Sequence, residues 1–323
     1  MPDIVDRMVS DLSVPRALLE DAIERAHIRF KKFKVRKRSG GDRFLVQPTA
    51  ELKLVLAWID AQVLSKLPIS ELATAFQPGT SIVKNAHAHR NSAYSVRLDI
   101  SDFFQSIRSQ DLLGALKEAK PRFEEWVFTA DFDQLIRRAC FDKNDRLPIG
   151  YPTSPRIANA VMHGLDARLS QTIAAAPERF GQAILTRYAD DFVFSTDTRG
   201  ACKAFADELQ STLASCANPK LTVNAAKTRY MSRRGGSTLI TGLRVSMDGK
   251  VGVHANYRDH IRLLLKLFSS GKLEAEEHEK LRGHLAFIEH ADPGLFTKLS
   301  FKYYKEISSL RMKKAAPEQE PPQ

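Results

Sequence analysis

In the first part of the chain, apolar residues recur at the spacing typical of helices, and a basic segment typical of two strands interrupts this pattern. Apolar residues recur at helical spacing within the first thirty residues and again over ELKLVLAWIDAQVLSKL, which begins at Glu51. Between these segments, residues 29–46 are dense in Lys and Arg, carry Phe30 and Phe33, and turn at Ser39-Gly40-Gly41. We predict helices on either side of two strands that a glycine turn connects.

The middle of the chain carries the apolar runs of a buried sheet. SAYSVRLDI predicts a strand that ends at Asp99, and AILTRYADDFVFSTD predicts a hairpin with Asp190 and Asp191 at its tip. PGTSIVKNAHAHRNS, from Pro78, predicts a loop with a short extended piece, and a long helix is predicted to begin near Ser154. Strands and helices mixed in this way indicate the α+β class.

From Arg258 the pattern becomes helical throughout, and three segments predict a separate three-helix unit. On its last helix we expect Phe301 and Tyr304 to pack inside the unit while the lysines face outward. The tail at 313–323 is polar and proline-rich, which predicts disorder.

Charge points to a partner more clearly than composition does. The 323 residues carry a net charge of +11 with a pI near 9.5, which predicts a polyanionic partner, with nucleic acid first and an acidic membrane surface second. No apolar run reaches the roughly 18 residues of a membrane span. The N-terminus also lacks a signal-peptide pattern, so we expect a cytoplasmic protein without a membrane partner. Cys140, Cys202 and Cys216 show no paired metal spacing and are interpreted as buried thiols in a reducing compartment.

Three carboxylates stand where apolar residues would be expected. Asp99 closes one apolar strand, and Asp190 and Asp191 lie where two others meet. If these strands are neighbours, the carboxylates converge, and like charges then raise each other's pKa values. Mg²⁺ removes this cost, and two such ions about 3.5–4 Å apart support in-line phosphoryl transfer. Ordinary turn chemistry at a hairpin tip is the alternative.

Five ordered segments resemble motifs A to E of reverse transcriptases. They are RLDISDFFQSI, LPIGYPTSPRIAN, YADD, LTVNAAKTRYM and LITGLRV, at residues 97–107, 147–159, 188–191, 221–231 and 239–245. Two further segments, NAHAH at 85–89 and ITG at 240–242, are similar to signatures of retron reverse transcriptases. The helical C-terminal segment, without an endonuclease or maturase extension, is similar as well. The chain therefore resembles a bacterial retron reverse transcriptase.

The resemblance implies a right-hand polymerase fold with fingers, an antiparallel-sheet palm and a helical thumb. The expected domains are N-terminal helices and fingers at 1–96, a palm at 97–250 with finger elements inserted at about 110–165, and a thumb at 251–312. It also implies a catalytic and metal-binding set that holds two Mg²⁺ ions, composed of Asp99, Asp190, Asp191 and the backbone carbonyl of Ile100. Phe104 matches the aromatic gate that excludes a 2′-hydroxyl, with core packing as the alternative for it or its neighbour Phe103.

Other matching positions imply contacts with the incoming nucleotide. The expected nucleotide-binding residues are Arg43, Phe104, Gly150, Pro152, Ser154 and Lys227. Lys227 matches a proton donor near the leaving pyrophosphate, and a solvated strand-edge lysine is the alternative. The family usually has glutamine where this chain has Ile149, which puts one nucleotide contact in doubt.

Basic and aromatic residues imply contacts with RNA. The expected RNA-binding residues are Lys34, Arg36, Lys37, Arg38, Asn85, His89, Lys298, Lys302, Tyr303, Lys305 and Arg311. For the basic residues of the fingers two ligands stay open, the template and the triphosphate, because both carry phosphates.

The function implied is RNA-directed DNA synthesis on a cognate structured non-coding RNA. A retron enzyme starts DNA from the 2′-hydroxyl of an internal guanosine and makes a branched RNA–DNA molecule, and such systems commonly serve in anti-phage defence with a separate effector protein. The expected partners are therefore that RNA, its RNA–DNA product, dNTPs and an effector. Two alternatives stay open: a reverse transcriptase of a group II intron or diversity-generating lineage, and an RNA-binding scaffold with weakened catalysis.

Overall fold

The computed structural model describes residues 3–36 and 40–312. These residues form two compact units. The first unit comprises the described residues of 1–79 and 96–229, and the second comprises those of 80–95 and 230–323. The predicted division into fingers, palm and thumb at 96 and 250 stays a prediction, and the tail at 313–323 lies outside the described residues.

Helices account for most of the described chain. In chain order they are α1 (Ile4–Leu12), α2 (Arg16–Glu24), α3 (Ala50–Gln62), α4 (Ile82–Ala88), α5 (Phe103–Ser106), α6 (Ser109–Glu118), α7 (Ala130–Cys140), α8 (Ser154–Val161), α9 (His163–Ala175), α10 (Pro177–Phe180), α11 (Ala201–Ser215), α12 (Ala255–Ser269), α13 (Ala275–Ala291), α14 (Pro293–Lys302) and α15 (Tyr304–Met312). None of the helices in the described ranges is long and apolar enough to cross a bilayer.

Three small sheets complete the architecture. Their strands are β1 (Phe30–Arg36), β2 (Asp42–Pro48), β3 (Tyr94–Asp99), β4 (Ile184–Tyr188), β5 (Asp191–Thr196), β6 (Arg229–Ser232), β7 (Ser237–Ile240), β8 (Leu243–Ser246) and β9 (Val251–Val253). The pairs β1–β2, β4–β5, β7–β8 and β8–β9 are antiparallel. The strand order is β1-β2 in one sheet, β4-β5-β3-β6 in the second and β7-β8-β9 in the third. The predicted α+β class is confirmed.

Helix α3 shows how helical spacing builds the core of the first unit. Its buried residues recur at intervals of three and four, and they are Leu52, Val55, Leu56, Trp58 and Ile59. Each fully buried side chain of this size contributes about 1.5–3 kcal/mol relative to exposure. The Trp58 indole also donates a 2.7 Å hydrogen bond to the Asp11 carboxylate, which ties α3 to the end of α1.

The structure corrects two predictions made from periodicity. The segment predicted as a loop after Pro78 contains helix α4, because the Ser81 hydroxyl accepts a 3.1 Å hydrogen bond from the Lys84 amide and caps its first turn. The long helix predicted from Ser154 is two helices, α8 and α9, which meet at Met162.

The end of the chain departs from the prediction as well. The helical segment has four helices, because the backbone at Tyr303 leaves helical geometry between α14 and α15. Phe301 and Tyr304 were predicted to be packed inside this unit, but they are 84% and 71% exposed. The prediction for these two aromatic residues is wrong. Phe301 lies two residues after the buried Leu299 in α14, which places it on the opposite side of that helix.

A buried histidine, His89, follows the last residue of helix α4, and its charge depends on folding. Burial lowers the pKa of His89 to about 4 from its usual 6.5. Because the unfolded chain takes up a proton near pH 6.5 and the folded chain does not, stability is complete above pH 6.5 and falls as the pH drops toward 4. Between pH 7.5 and pH 5 this loss amounts to about 2 kcal/mol.

We therefore expect His89→Gln to flatten the acid branch of the stability profile. The free energy of unfolding, measured by denaturant titration at pH 7.5 and at pH 5, should fall less in this variant than in the wild type. His27→Gln is the matched control for the loss of a histidine, because His27 is exposed. An identical acid loss in wild type and His89→Gln would contradict the prediction.

Candidate active site

The ends of two neighbouring strands bring the three carboxylates together. Asp99 is the last residue of β3, which lies beside β5 in the central sheet. The amide of the next residue, Ile100, donates a 2.9 Å hydrogen bond to the carbonyl of Asp190, in the turn of the β4–β5 hairpin. Asp191 begins β5 and pairs with Tyr188 across that hairpin. The convergence predicted from strand endings is therefore present.

A third chain segment completes the site from the other side. The Asn224 amide donates to the Asp99 carbonyl at 2.7 Å, and the Ser101 amide donates to the Thr222 carbonyl at 2.9 Å. This backbone pairing positions Lys227, whose ammonium lies 2.8 and 3.1 Å from the two carboxylate oxygens of Asp99. Lys227 is thus a partner of the acidic cluster in this structure, and its predicted role as a proton donor stays a prediction.

The two adjacent carboxylates at the hairpin tip have an unfavourable electrostatic environment. Burial raises the pKa of Asp190, and the charge of Asp191 raises it further. Burial also raises the pKa of Asp191, although the Arg97 guanidinium, which donates to its carboxylate at 3.0 Å, opposes that rise. Two adjacent carboxylates held out of water therefore favour a bound cation.

The donor set suits a hard divalent ion. Carboxylate oxygens and a backbone carbonyl, as at Asp99, Asp190, Asp191 and Ile100, are the oxygen ligands that Mg²⁺ and Ca²⁺ prefer. Within residues 3–36 and 40–312, no group of three or more His, Cys, Asp or Glu side chains stands ready as a metal site. Instead, Lys227 and Arg97 neutralise two of the carboxylates. The identity and number of the ions remain predictions.

Beneath the hairpin turn lies a buried ionic network that the sequence analysis missed. Arg187 and Asp166 are both fully buried, and the guanidinium donates to both carboxylate oxygens at 2.7–3.1 Å. The same guanidinium donates to the side-chain oxygen of Asn159 at 3.0 Å and to the carbonyl of Ala189 at 3.2 Å. A charged residue inside the apolar run ILTRY was the available signal, since arginine is almost never fully buried unless it is paired.

This network supports a turn that is costly in itself. Ala189, between Tyr188 and Asp190, has φ +57°, in the left-handed region that alanine disfavours by about 1–2 kcal/mol. Its carbonyl is the group that Arg187 binds. Asp190 and Asp191, the candidate metal-binding carboxylates, therefore stand on a strained turn that the buried guanidinium of Arg187 holds in place.

The predicted aromatic gate lies just beyond Asp99. Phe104 is half-buried on α5, and its ring meets the buried ring of Phe103 edge-on at 5.4 Å between centroids. Phe103 is therefore the residue of this pair that packs in the core, and Phe104 keeps exposed surface. A second ring, that of Phe76, meets Phe104 edge-on at 6.4 Å.

The loop that contains the other nucleotide candidates is fastened to strand β2. The carbonyl of Ile149 accepts a 2.8 Å hydrogen bond from the amide of Val46. Ser154 is buried, and its hydroxyl donates a 2.6 Å hydrogen bond to the Pro148 carbonyl, so it closes the loop onto itself. Pro152 and Gly150 are exposed, and Arg43 is exposed on β2. Their nucleotide contacts stay predictions.

Gly150 stands where the loop leaves no room for a side chain. Its φ is +111°, and a Cβ there would lie 2.6 Å from the Val46 carbonyl oxygen. We expect Gly150→Ala to destabilise the protein by about 1–3 kcal/mol and to lower nucleotide incorporation. The new Cβ would clash with the Val46 carbonyl and push the loop away from β2.

Thermal unfolding and primer extension measure the two effects. Gly114→Ala is the matched control, since Gly114 lies on α6 with nothing within 4 Å of a new Cβ, and it should be neutral or stabilising. Equal melting temperatures and rates for both variants would contradict the prediction.

The candidate RNA-binding residues fall in separate places. Lys34 and Arg36 are exposed on β1, whereas Lys37 and Arg38 lie outside the described residues. In the second unit, Asn85 and His89 are buried, which favours an internal role for both side chains. The remaining candidates, on or between α14 and α15, are exposed apart from the half-buried Tyr303, and they are Lys298, Lys302, Lys305 and Arg311.

Comparison with known proteins agrees with the geometry of the site. The family described as Reverse transcriptase (RNA-dependent DNA polymerase) matches residues 35–278. Retron Ec73 reverse transcriptase of Escherichia coli is 40% identical over 283 residues, which cover 86% of this chain and 88% of that protein. Retron Ec83 reverse transcriptase of Escherichia coli is 28% identical and is covered to 86%. Retron Mx162 reverse transcriptase of Myxococcus xanthus is 33% identical and is covered to 56%.

A solved structure shares the fold at much lower identity. Apo telomerase from Candida tropicalis aligns with a TM-score of 0.52 and 11% identity, over 88% of this chain and 58% of that chain. This chain therefore spans a little over half of the telomerase chain, and the likeness supports the polymerase fold alone. The family match and the retron relatives confirm the resemblance inferred from the five motifs. The chain belongs to the reverse transcriptases, RNA-directed DNA polymerases, and within them to the bacterial retron enzymes.

Proposed function

We propose that this enzyme reverse transcribes part of a cognate structured non-coding RNA into a branched RNA–DNA molecule, as one component of a cytoplasmic anti-phage retron system. The observation that supports this most directly is the junction of Asp99 with the Asp190-Asp191 turn through the Ile100 amide. It gathers three carboxylates beside a lysine at the end of a sheet, in a chain whose retron relatives cover most of its length.

The reaction is attack of a primer hydroxyl oxygen on the α-phosphorus of a dNTP. A new O–P bond forms, the hydroxyl proton passes to water, the bond to the β-phosphate bridge oxygen breaks, and pyrophosphate leaves. When two Mg²⁺ ions are bound by Asp99, Asp190, Asp191 and the Ile100 carbonyl, they supply charge stabilisation to the attacking and leaving oxygens.

The residues of the chain supply positioning and charge. Arg97 orients the Asp191 carboxylate, and Lys227 neutralises Asp99 and carries a proton at its amine that suits the departing pyrophosphate. Phe104 excludes a 2′-hydroxyl, and Arg43 binds the triphosphate. The backbone of Gly150 and its neighbours Pro152 and Ser154 supports the nucleotide from the loop on β2.

RNA binding in this proposal uses two basic surfaces. One is the β1–β2 hairpin with Lys34 and Arg36, and the other is the α14–α15 segment with Lys298, Lys302, Lys305 and Arg311. The observed exposure of Phe301 and Tyr304 adds two rings to the second surface, and exposed rings stack on unpaired bases. An effector protein held by the RNA–protein complex completes the proposal.

Analysis of the bound nucleic acid tests the product. Protein purified from its host should carry a small species that RNase and DNase each degrade in part and that neither degrades completely. DNA joined to RNA through a 2′-linkage, detected after a debranching enzyme separates the strands, is the expected result. RNA alone would favour the scaffold alternative, and unbranched cDNA would favour another lineage of reverse transcriptase.

A further inference from the structure

Phe76 combines two features that a folded chain usually avoids. Its large apolar side chain is 51% exposed, and its backbone has φ +60°, in the left-handed region. Bulky residues are rare in that region, and such outliers concentrate where function requires a fixed geometry. The ring contributes little to the core of the first unit, because about half of the residue is exposed.

The segment that carries Phe76 is held rigidly from behind. Leu72 accepts a 2.6 Å hydrogen bond from the Arg187 amide, and the Thr74 amide donates to the Arg187 carbonyl at 2.8 Å. The carbonyl of Ala75 accepts a 2.9 Å hydrogen bond from the buried amide of Asn159. Arg187 and Asn159 are the same residues that brace the Ala189 turn. One buried network thus positions both the catalytic turn and the base of Phe76.

The ring of Phe76 has one aromatic neighbour at the candidate site, Phe104. The two rings meet edge-on, with centroids 6.4 Å apart and planes at 66°. Phe103 meets Phe104 edge-on as well, at 5.4 Å. The Phe104 ring is therefore flanked by Phe103, which is buried, and Phe76, which is half-exposed.

We propose that Phe76 is a positioning residue for sugar selection: its ring braces Phe104 and so sharpens the exclusion of ribonucleoside triphosphates. This inference rests on the proposed role of Phe104 as the gate. A gate discriminates only if it does not yield to a 2′-hydroxyl, and the ring of Phe104, alone on its half-exposed side, would be free to turn away. An edge-to-face partner limits that motion.

The test measures kcat/KM for one dNTP and the matching rNTP in single-nucleotide extension on an RNA template. Phe76→Gly removes the ring and also accepts φ +60° without strain, so its melting temperature should equal or exceed that of the wild type. We expect the kcat/KM for the rNTP to rise, and the preference for the dNTP to fall by about 3- to 10-fold, the weight of one aromatic pair. Phe76→Tyr keeps the ring and should keep the preference.

General damage to the fold would instead lower kcat/KM for both nucleotides and leave their ratio unchanged. That result for Phe76→Gly, or an equal loss of preference in Phe76→Tyr, would overturn the inference. The Phe104→Ala variant tests the gate role of Phe104 separately from the bracing role of Phe76. If it loses the preference while Phe76→Gly keeps it, only the role of Phe76 fails; if it keeps the preference, the gate fails and the inference with it.

A double-variant cycle decides whether Phe76 acts through Phe104. In the Phe104→Ala background, Phe76→Gly should change the preference no further, since there is no ring left to brace. A full additional effect in that background would mean that Phe76 contacts the nucleotide itself, and would overturn the positioning role.

Discussion

Replacing Asp190 with asparagine is expected to abolish primer extension on an RNA template while the protein stays folded. The amide has the shape of the carboxylate but lacks the charge that binds a divalent ion. Metal-bound charge stabilisation is worth several kcal/mol in phosphoryl transfer, and about 4 kcal/mol corresponds to a 10³-fold loss of rate. Rapid-quench extension with dNTPs at saturating Mg²⁺ measures it.

The same substitution should not destabilise the protein. Because burial and Asp191 raise the pKa of Asp190, its ionised form is disfavoured in the fold, and this cost grows as the pH rises above the unfolded value. Asp190→Asn removes that cost, so its melting temperature without divalent ions at pH 8 should equal or exceed that of the wild type.

Asp207→Asn is the matched control for Asp190→Asn. Asp207 is exposed on α11, where it forms an ion pair with Lys203 within the helix, and its loss should leave extension unchanged. Extension by Asp190→Asn at a rate comparable to that of the control would refute the metal-binding role. Loss of activity together with a collapse in melting temperature would show that the carboxylate has a structural role instead.

The acidic site was predictable because its elements obey simple periodic rules. The two apolar runs of AILTRYADDFVFSTD, interrupted by the acidic pair, predict a hairpin, and SAYSVRLDI predicts a strand that places Asp99 at its end. Both predictions are confirmed, and the strand order β4-β5-β3 then brings the ends together. Periodicity does not state which strands are neighbours, so the convergence depended on the resemblance to reverse transcriptases.

Features that depend on partners distant in sequence were not predictable in this way. Arg187 lies in an apolar strand, and Asp166, its partner, lies on a helix 21 residues earlier. Nothing in either local pattern specifies the pair. Phe301 and Tyr304 were predicted to lie in the interior because aromatic residues usually pack there, but the residue type does not specify which face of a helix is buried, and both are exposed. The positive φ of Phe76 was not predictable either, because a left-handed backbone at a phenylalanine has no signature in sequence.

Replacing Arg187 with methionine is expected to give the largest loss of stability of any substitution considered. Asp166 would be left fully buried without its counter-ion, and breaking a buried pair in this way costs about 3–5 kcal/mol. For a protein of this size the melting temperature should fall by roughly 6–20 °C, since each kcal/mol corresponds to about 2–4 °C. Thermal unfolding followed by circular dichroism measures the shift.

The double variant Arg187→Met with Asp166→Leu distinguishes stability from function. Apolar replacement of both partners removes the orphaned charge, so most of the lost stability should return. Activity should not return with it, because the Ala189 carbonyl and the Asn159 side chain still lack the donor that held the turn beneath Asp190. A double variant that regains both melting temperature and extension rate would show that the network only fills the core. A melting temperature of the single variant equal to that of the wild type would contradict the buried ion pair itself.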